Sequence, residues 1–331
     1  MRTYILQRFI QMIIVMIVVM LVSFIIVELP PGDFLTTLRE QLTDQNVDPK
    51  VIDSTVEMYR ARYGLGENWF IRFGKWAWSL MKGDMGYSMQ HNRPASELMG
   101  ERLSLTIWIS IATLIFMFVV AVPIGMLSAI KQYSAWDHSF TFLALLGVSV
   151  PSFITALVFL LLSVTLLGAT TVAGLFSPEY VTAEWSWAKF VDMLKHVWII
   201  LFIVGLGDTA STIRVMRARM LDTLGEPYID TARMKGLSGA KIYFRHALRV
   251  AINPIISSIG LRFPQIISGS TIVAIVLTLP LIGPLLLEAL LGEDVYLACS
   301  ILVVLTLALV IGNFLADLAL AWLDPRIRFE S

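Results

Sequence analysis

Apolar residues along this 331-residue chain gather into six runs long enough to cross a bilayer, at 9–29, 104–130, 139–168, 196–213, 255–279 and 297–323. A span needs about 20 such residues, because a helix rises about 1.5 Å per residue through about 30 Å of hydrocarbon. The first run follows a basic tail holding Arg2 and Arg8. It is too long for a secretion-signal core and lacks a small-x-small cleavage site, so it is expected to stay as a helix. The fourth run is interrupted by Gly205, Gly207 and Asp208. The expected fold is therefore an all-α integral membrane protein with six transmembrane helices. It divides into 1–30 (tail and first helix), 31–103 (a polar segment) and 104–331 (a five-helix core), with a long polar loop at 222–254 between helices four and five.

Local chemistry sets the expected structure of that loop. Pro227 suits the first turn of a helix, where its missing N–H costs nothing, and Gly236 suits a left-handed residue that ends one. A short helix is predicted over 227–235. Ser238 can cap a second helix that Pro254 ends or kinks, and on it Lys241, Arg245 and Arg249 recur every fourth residue as one basic stripe. The loop reads either as a basic segment on anionic headgroups or as a docking element.

Composition agrees with the membrane reading: 57% of residues are hydrophobic and 15% charged, and the mean hydropathy is +0.75. A net charge of zero implies no nucleic-acid partner. Basic residues are nonetheless uneven. Arg214, Arg217, Arg219, Arg233, Lys235, Lys241, Arg245 and Arg249 fall in 214–254, while 280–296 has none. The positive-inside rule then puts both termini and the loop in the cytoplasm and 31–103 outside. Segment 31–103 shows helix-like stretches near 35–43 and 49–63, and Trp69, Trp76 and Trp78 suit the headgroup level.

Two charges fall within expected spans. Asp208 lies roughly 9 Å inward from Arg214, and Arg262 roughly 12 Å inward from Pro254. An isolated charge in lipid is expensive, so the two are expected either to pair across consecutive helices or to face a wet pathway; hydration of Asp208 and snorkelling of Arg262 is the alternative. Pro123, Pro151, Pro264 and Pro280 are expected to break or loosen spans. Catalytic chemistry is not indicated. Gly236 to Lys241 lacks the spacing of a phosphate-binding loop, and His91, His138, His196 and His246 are scattered without paired ligands, so no metal site is expected. Cys299 has no partner for an intrachain disulfide.

Glu226, Tyr228, Thr231, Ala232, Arg233, Lys235, Gly236 and the run Arg245, His246, Ala247, Leu248, Arg249 stand at the spacing of the EAA loop of ABC-importer permeases. The chain resembles their dipeptide/oligopeptide branch, as do Gly83, Asp84, Gly86 and Ser88, Arg93 and Pro94, Glu101 to Leu103, and the tail Asp324, Pro325, Arg326. The resemblance implies a non-catalytic permease subunit of the bacterial inner membrane, forming half of the pathway for peptides delivered by an external solute-binding protein. The implied partners are a second related permease, two ATPase subunits carrying ATP and Mg, and membrane lipid. The coupling surface would comprise Glu226, Tyr228, Asp230, Thr231, Ala232, Arg233, Met234, Lys235 and Gly236. Two motifs depart from the branch. Ala274, Leu277 and Pro280 to Gly283 stand where it usually has a Glu, an aromatic and Pro-Gly-Leu-Gly, and Pro30 to Asp33 reads Pro-Pro-Gly-Asp. Oligosaccharide cargo therefore stays open, and an ion-coupled secondary transporter is the competing class.

Overall fold

The computed structural model describes residues 2–28, 34–167 and 174–323; side chains are described for these except 2–9, 101, 166, 167, 260, 261, 263, 264 and 315–323. In chain order the helices are α1 (Arg2–Glu28), α2 (Phe34–Asp44), α3 (Pro49–Tyr63), α4 (Trp69–Met81), α5 (Ala95–Ile130), α6 (Ala135–Ser149), α7 (Ser152–Leu167), α8 (Pro178–Val181) and α9 (Trp187–Leu224). They continue as α10 (Pro227–Met234), α11 (Gly239–Lys241), a π-helix (Ile242–Ala247), α12 (Leu248–Ala251), α13 (Asn253–Ser257), α14 (Ile259–Val276), α15 (Ile282–Leu291) and α16 (Val295–Leu323). No strand occurs among the described residues.

Four helices are long and apolar enough to span, within Ile10–Glu28, Ala95–Ile130, Trp187–Leu224 and Val295–Phe314, and a fifth span results if the bent pair α6 and α7 is counted as one. That pair turns by 102° where Pro151 follows Val150, whose backbone is extended (ψ 120°), because a residue before proline avoids the helical region. The run expected at 255–279 instead divides at Ser258 into α13 and α14, of which α14 is 18 residues long. α5 continues through Pro123 without a break. The segment 280–296, between the fifth and sixth apolar runs, contains α15.

The chain forms two compact units, and their boundaries fall within α5, between α14 and α15, and within α16. Met1–Leu105 with Leu281–Ile311 makes the first. Its core joins Phe24 of α1 to Phe34, Leu35, Ile52, Val56, Trp76, Met89, Val295 and Cys299. α3 starts where Asp48 accepts from the Lys50 N–H at 2.8 Å and ends at Gly64 in the left-handed region. Directional contacts then fasten this segment to 293–300. Ser88 Oγ donates to Asp294 at 2.5 Å, Thr37 Oγ1 to Glu293 at 2.9 Å, Tyr296 OH to the Tyr63 carbonyl at 3.0 Å, and Ser300 Oγ to the Met85 carbonyl at 2.7 Å. Trp76 is buried, ring to ring with Phe24 at 5.7 Å. Its ring therefore packs against protein rather than being exposed, unlike that of Trp78.

The second unit is Thr106–Pro280 with Gly312–Ser331. Here Gly125 of α5 lets α9 approach closely, since a Cβ at that position would lie 2.7 Å from Met216 Cβ and 2.8 Å from the Ile213 carbonyl. Asp137 of α6 is buried and clamped by Arg217 of α9, with Nε at 2.7 Å and Nη2 at 2.8 Å. Ser128 Oγ of α5 and the Tyr133 N–H donate to the same carboxylate. Three helices thus meet at one charge-assisted node.

Candidate functional site

α10 lies beyond the end of α9, with Glu226 at its N-cap, though the Glu226 side chain makes no capping bond, and Pro227 in its first turn. Its underside is apolar. Ile229 and Ala232 are buried in a cluster with Met126 and Ala129 of α5, Met216 and Met220 of α9, and Ile242, Ala247, Ala251 and Ile255 downstream. Its other face is open: Tyr228, Asp230, Thr231, Arg233, Met234, Lys235 and Gly236 are all exposed, with Met234 at 81%. Of the nine residues expected to form a coupling surface, only Ala232 faces inward. Asp230 accepts from Arg233 at 2.9 Å within the helix.

The end of α10 follows from glycine chemistry. Lys235 closes the helix, Gly236 takes φ +74°, its N–H reaches the Arg233 carbonyl at 2.9 Å, and the Leu237 N–H reaches Ala232 at 3.3 Å. These are the two bonds of a Schellman motif, and Leu237 tucks back against the apolar cluster. Ser238 occupies the next N-cap position but makes no side-chain capping bond.

The helix after Ser238 is not the uninterrupted α-helix expected. Its buried residues Ile242, Ala247, Ala251 and Ile255 are spaced five, then four, then four. In an α-helix a five-residue step rotates a side chain about 140° off its face. The π-turn at Ile242–Ala247 restores the alignment, the kind of local widening found at functional sites. Lys241, Arg245 and Arg249 stay exposed, and the helix breaks before Pro254, which opens α13. The five-residue gap was a signal in the sequence for this turn. Ile229, Ser128, Asp137 and Arg217 carried none.

Asp208 of α9 and Arg262 of α14 are brought together, Nη1 to Oδ1 at 3.3 Å. Ser258 Oγ accepts from Arg262 Nε at 3.0 Å, and Ser211 Oγ lies 3.5 Å from Nη1. Asp208 also borders a cavity of about 280 Å³ beside the α6–α7 bend, lined by Gly147, Pro151, Thr155, Gly207 and Gln265 among others. An acidic group, an amide and small residues at a helix break make a polar recess in an otherwise apolar bundle. Among the described residues no group of three or more His, Cys, Asp or Glu is placed to hold a metal, and Cys299 is buried in the first unit's core.

Long apolar helices, a partly buried charge pair between two of them and a surface helix held from beneath define an integral membrane protein. The chain belongs to the binding-protein-dependent transport system inner membrane components, the family matched over residues 121–329. It is therefore a permease of an ABC importer in the inner membrane. It is 30% identical to the oligopeptide transport system permease protein AppB of Bacillus subtilis (strain 168), over 99% of this chain and all of that one. It is 28% identical to the dipeptide transport system permease protein DppB of Escherichia coli (strain K12), over the full length of both. A chain of the MetNI methionine ABC transporter, solved in inward-facing conformations, shares the fold at 14% identity and a TM-score of 0.54, over 69% of this chain and 96% of that one.

Proposed function

We propose that this permease forms half of the translocation pathway of an ATP-driven importer of di- and oligopeptides. The reading has six spans, with α14 as the fifth, both termini and α10 in the cytoplasm, and the segment before α5 outside. A second related permease completes the pathway, two separate ATPase chains bind ATP and Mg, and an external solute-binding protein delivers the peptide.

The observation that carries this reading is α10: its polar motif residues point outward while Ile229 and Ala232 pin it to the ends of α5 and α9. A helix held this way can take a push on its exposed face and pass it to two long helices as one body. Tyr228 and Met234 supply apolar contacts to the ATPase, and Asp230, Arg233 and Lys235 polar ones. The Asp208–Arg262 pair and its recess line the pathway. Peptide cargo is supported by the names of the relatives; the departures at Ala274 and Leu277 keep oligosaccharide as the second reading.

The test is to purify the tagged chain from native membranes in mild detergent, identify its companions, and weigh the small molecule carried by the co-purifying binding protein. Two ATPases, a second permease and peptide masses are expected. Sugar-spaced masses would transfer the same machine to oligosaccharides, and uptake that persists without ATP but follows an ion gradient would overturn the importer reading.

A further inference from the structure

The outward face of α4 is unlike that of its neighbour α3. On α3 the exposed positions include Lys50, Asp53, Glu57 and Arg60. On α4 they include Phe70, Ile71, Trp78 and Met81, at 64, 53, 59 and 70% exposure. Ile71, Trp78 and Met81 fall on one helical stripe, with Gly74 between them, and Trp69 stacks on Phe70 at 3.7 Å. The opposite face is already used: Phe73 and Trp76 pack on Phe24 at 5.5 and 5.7 Å, and Arg72 Nη1 meets Glu28 at 2.6 Å.

Those contacts fix the depth of α4. No charged residue stands between Arg8 and Glu28, and the uncharged run 9–27, about 28 Å long as a helix, matches the hydrocarbon thickness of about 30 Å. Glu28 therefore marks the edge of the hydrocarbon, and Phe24 sits one turn, about 6 Å, below it. A helix tied to both residues lies across the boundary. Val22, Ile25 and Ile26 of α1 are exposed on the same turns as Phe24, so α1 presents apolar surface at the depth where α4 is tied to it. The charges agree: Lys82 Nζ lies 4.9 Å over the Trp78 ring, and Lys75 is turned to Glu67 at 2.6 Å, both at the rim of the stripe, where lysine stems cover apolar surface and their ammonium groups reach headgroup phosphates.

We infer that α4 is an interfacial membrane helix whose outer face, Phe70, Ile71, Trp78 and Met81, is embedded in phospholipid of the leaflet reached by the Glu28 end of α1. The bound partner is lipid, and α4 with α1 makes an elbow that holds the following segment against the bilayer surface. This holds for any cargo.

The test places a nitroxide at Ile71→Cys and Trp78→Cys in the full chain, reconstituted in phosphatidylglycerol/phosphatidylethanolamine nanodiscs, with Ile26→Cys as the lipid reference and Val51→Cys as the water reference. Relaxation by oxygen is compared with that by a water-soluble nickel chelate. Positions 71 and 78 should favour oxygen several-fold over position 51 and report a depth of about 5–10 Å. A nickel-dominated signal at both would overturn the inference, and so would exclusion of both reagents, which would mean a protein surface covers the face. If the cysteine variants misfold, quenching of the native chain by brominated phosphatidylcholine replaces them: Trp78→Phe should lower the quenched fraction, and an unchanged fraction would equally overturn it.

Discussion

Beneath α10, Ile229 and Ala232 meet methionines and alanines of α5 and α9, and the charged residues of the motif take no part in that packing. The segment at 34–94 also packs an apolar core on 295–303 but adds what α10 lacks: Ser88, Thr37, Met85 and Tyr63 reach 293–300 through hydrogen bonds with set partners. Apolar contact is non-directional and leaves polar groups free for a partner. Hydrogen bonds fail within a fraction of an ångström and so fix register. A helix that must offer its charges to another protein is best held from behind by the first means, and a segment that must keep one placement by the second.

The sharpest way to break this contrast is Ile229→Asp, which buries a carboxylate under α10 at a cost of several kcal/mol. Uptake should disappear while the chain stays inserted, and limited proteolysis should open at 226–236; Ile229→Leu should cost less than about 1.5 kcal/mol and keep uptake. Next is Asp137→Ala, which strands Arg217. Breaking a buried pair costs about 3–5 kcal/mol, and because Arg217 keeps 26% side-chain exposure the lower end is expected. Thermal unfolding in detergent measures it, and Asp137→Leu with Arg217→Met should recover most of the loss.

Gly236→Arg should be milder for folding. No atom lies within 4 Å of the new Cβ, so the cost is that of φ +74° in a side-chain residue, about 1–2 kcal/mol. Uptake should nevertheless be lost, because the side chain is added next to the exposed face. Normal uptake would remove α10 from the coupling route.

Asp294 gives a pH test of the hydrogen-bonded segment. Burial raises its carboxyl above the ordinary 3.8, although Ser88 Oγ and the N–H groups of Met89, Gln90 and Leu297 pull it down. With the folded value raised, the associated stability is present below pH 3.8 and is lost as the pH climbs through the raised value. The melting temperature should fall over that window, and Asp294→Asn should flatten the dependence. The smallest effect belongs to Asp230→Asn, since its pair with Arg233 is exposed on both sides. Stability should change by less than about 0.5 kcal/mol, so any larger fall in uptake marks docking rather than folding.

The extent of α10 was legible because Pro227 and Gly236 act on their own backbone and the next few residues, and α2 and α3 were legible for the same reason. The span count was harder to reach. Hydropathy counts contiguous apolar residues, but the third run bends by 102° at Pro151 and the fifth is divided.

By itself the sequence determined the membrane class, the punctuation of the loop and the motif by which the family is recognised. These depend on transfer free energy summed along a run and on the φ preferences of single residues. The tertiary structure alone decided that Asp137 meets Arg217 across 80 positions, that Ile229 rather than a motif charge anchors α10, that Trp76 faces inward while Trp78 faces outward, and that 282–291 forms a helix. Burial and ion pairing depend on which distant surface arrives, and no local window of residues contains that information.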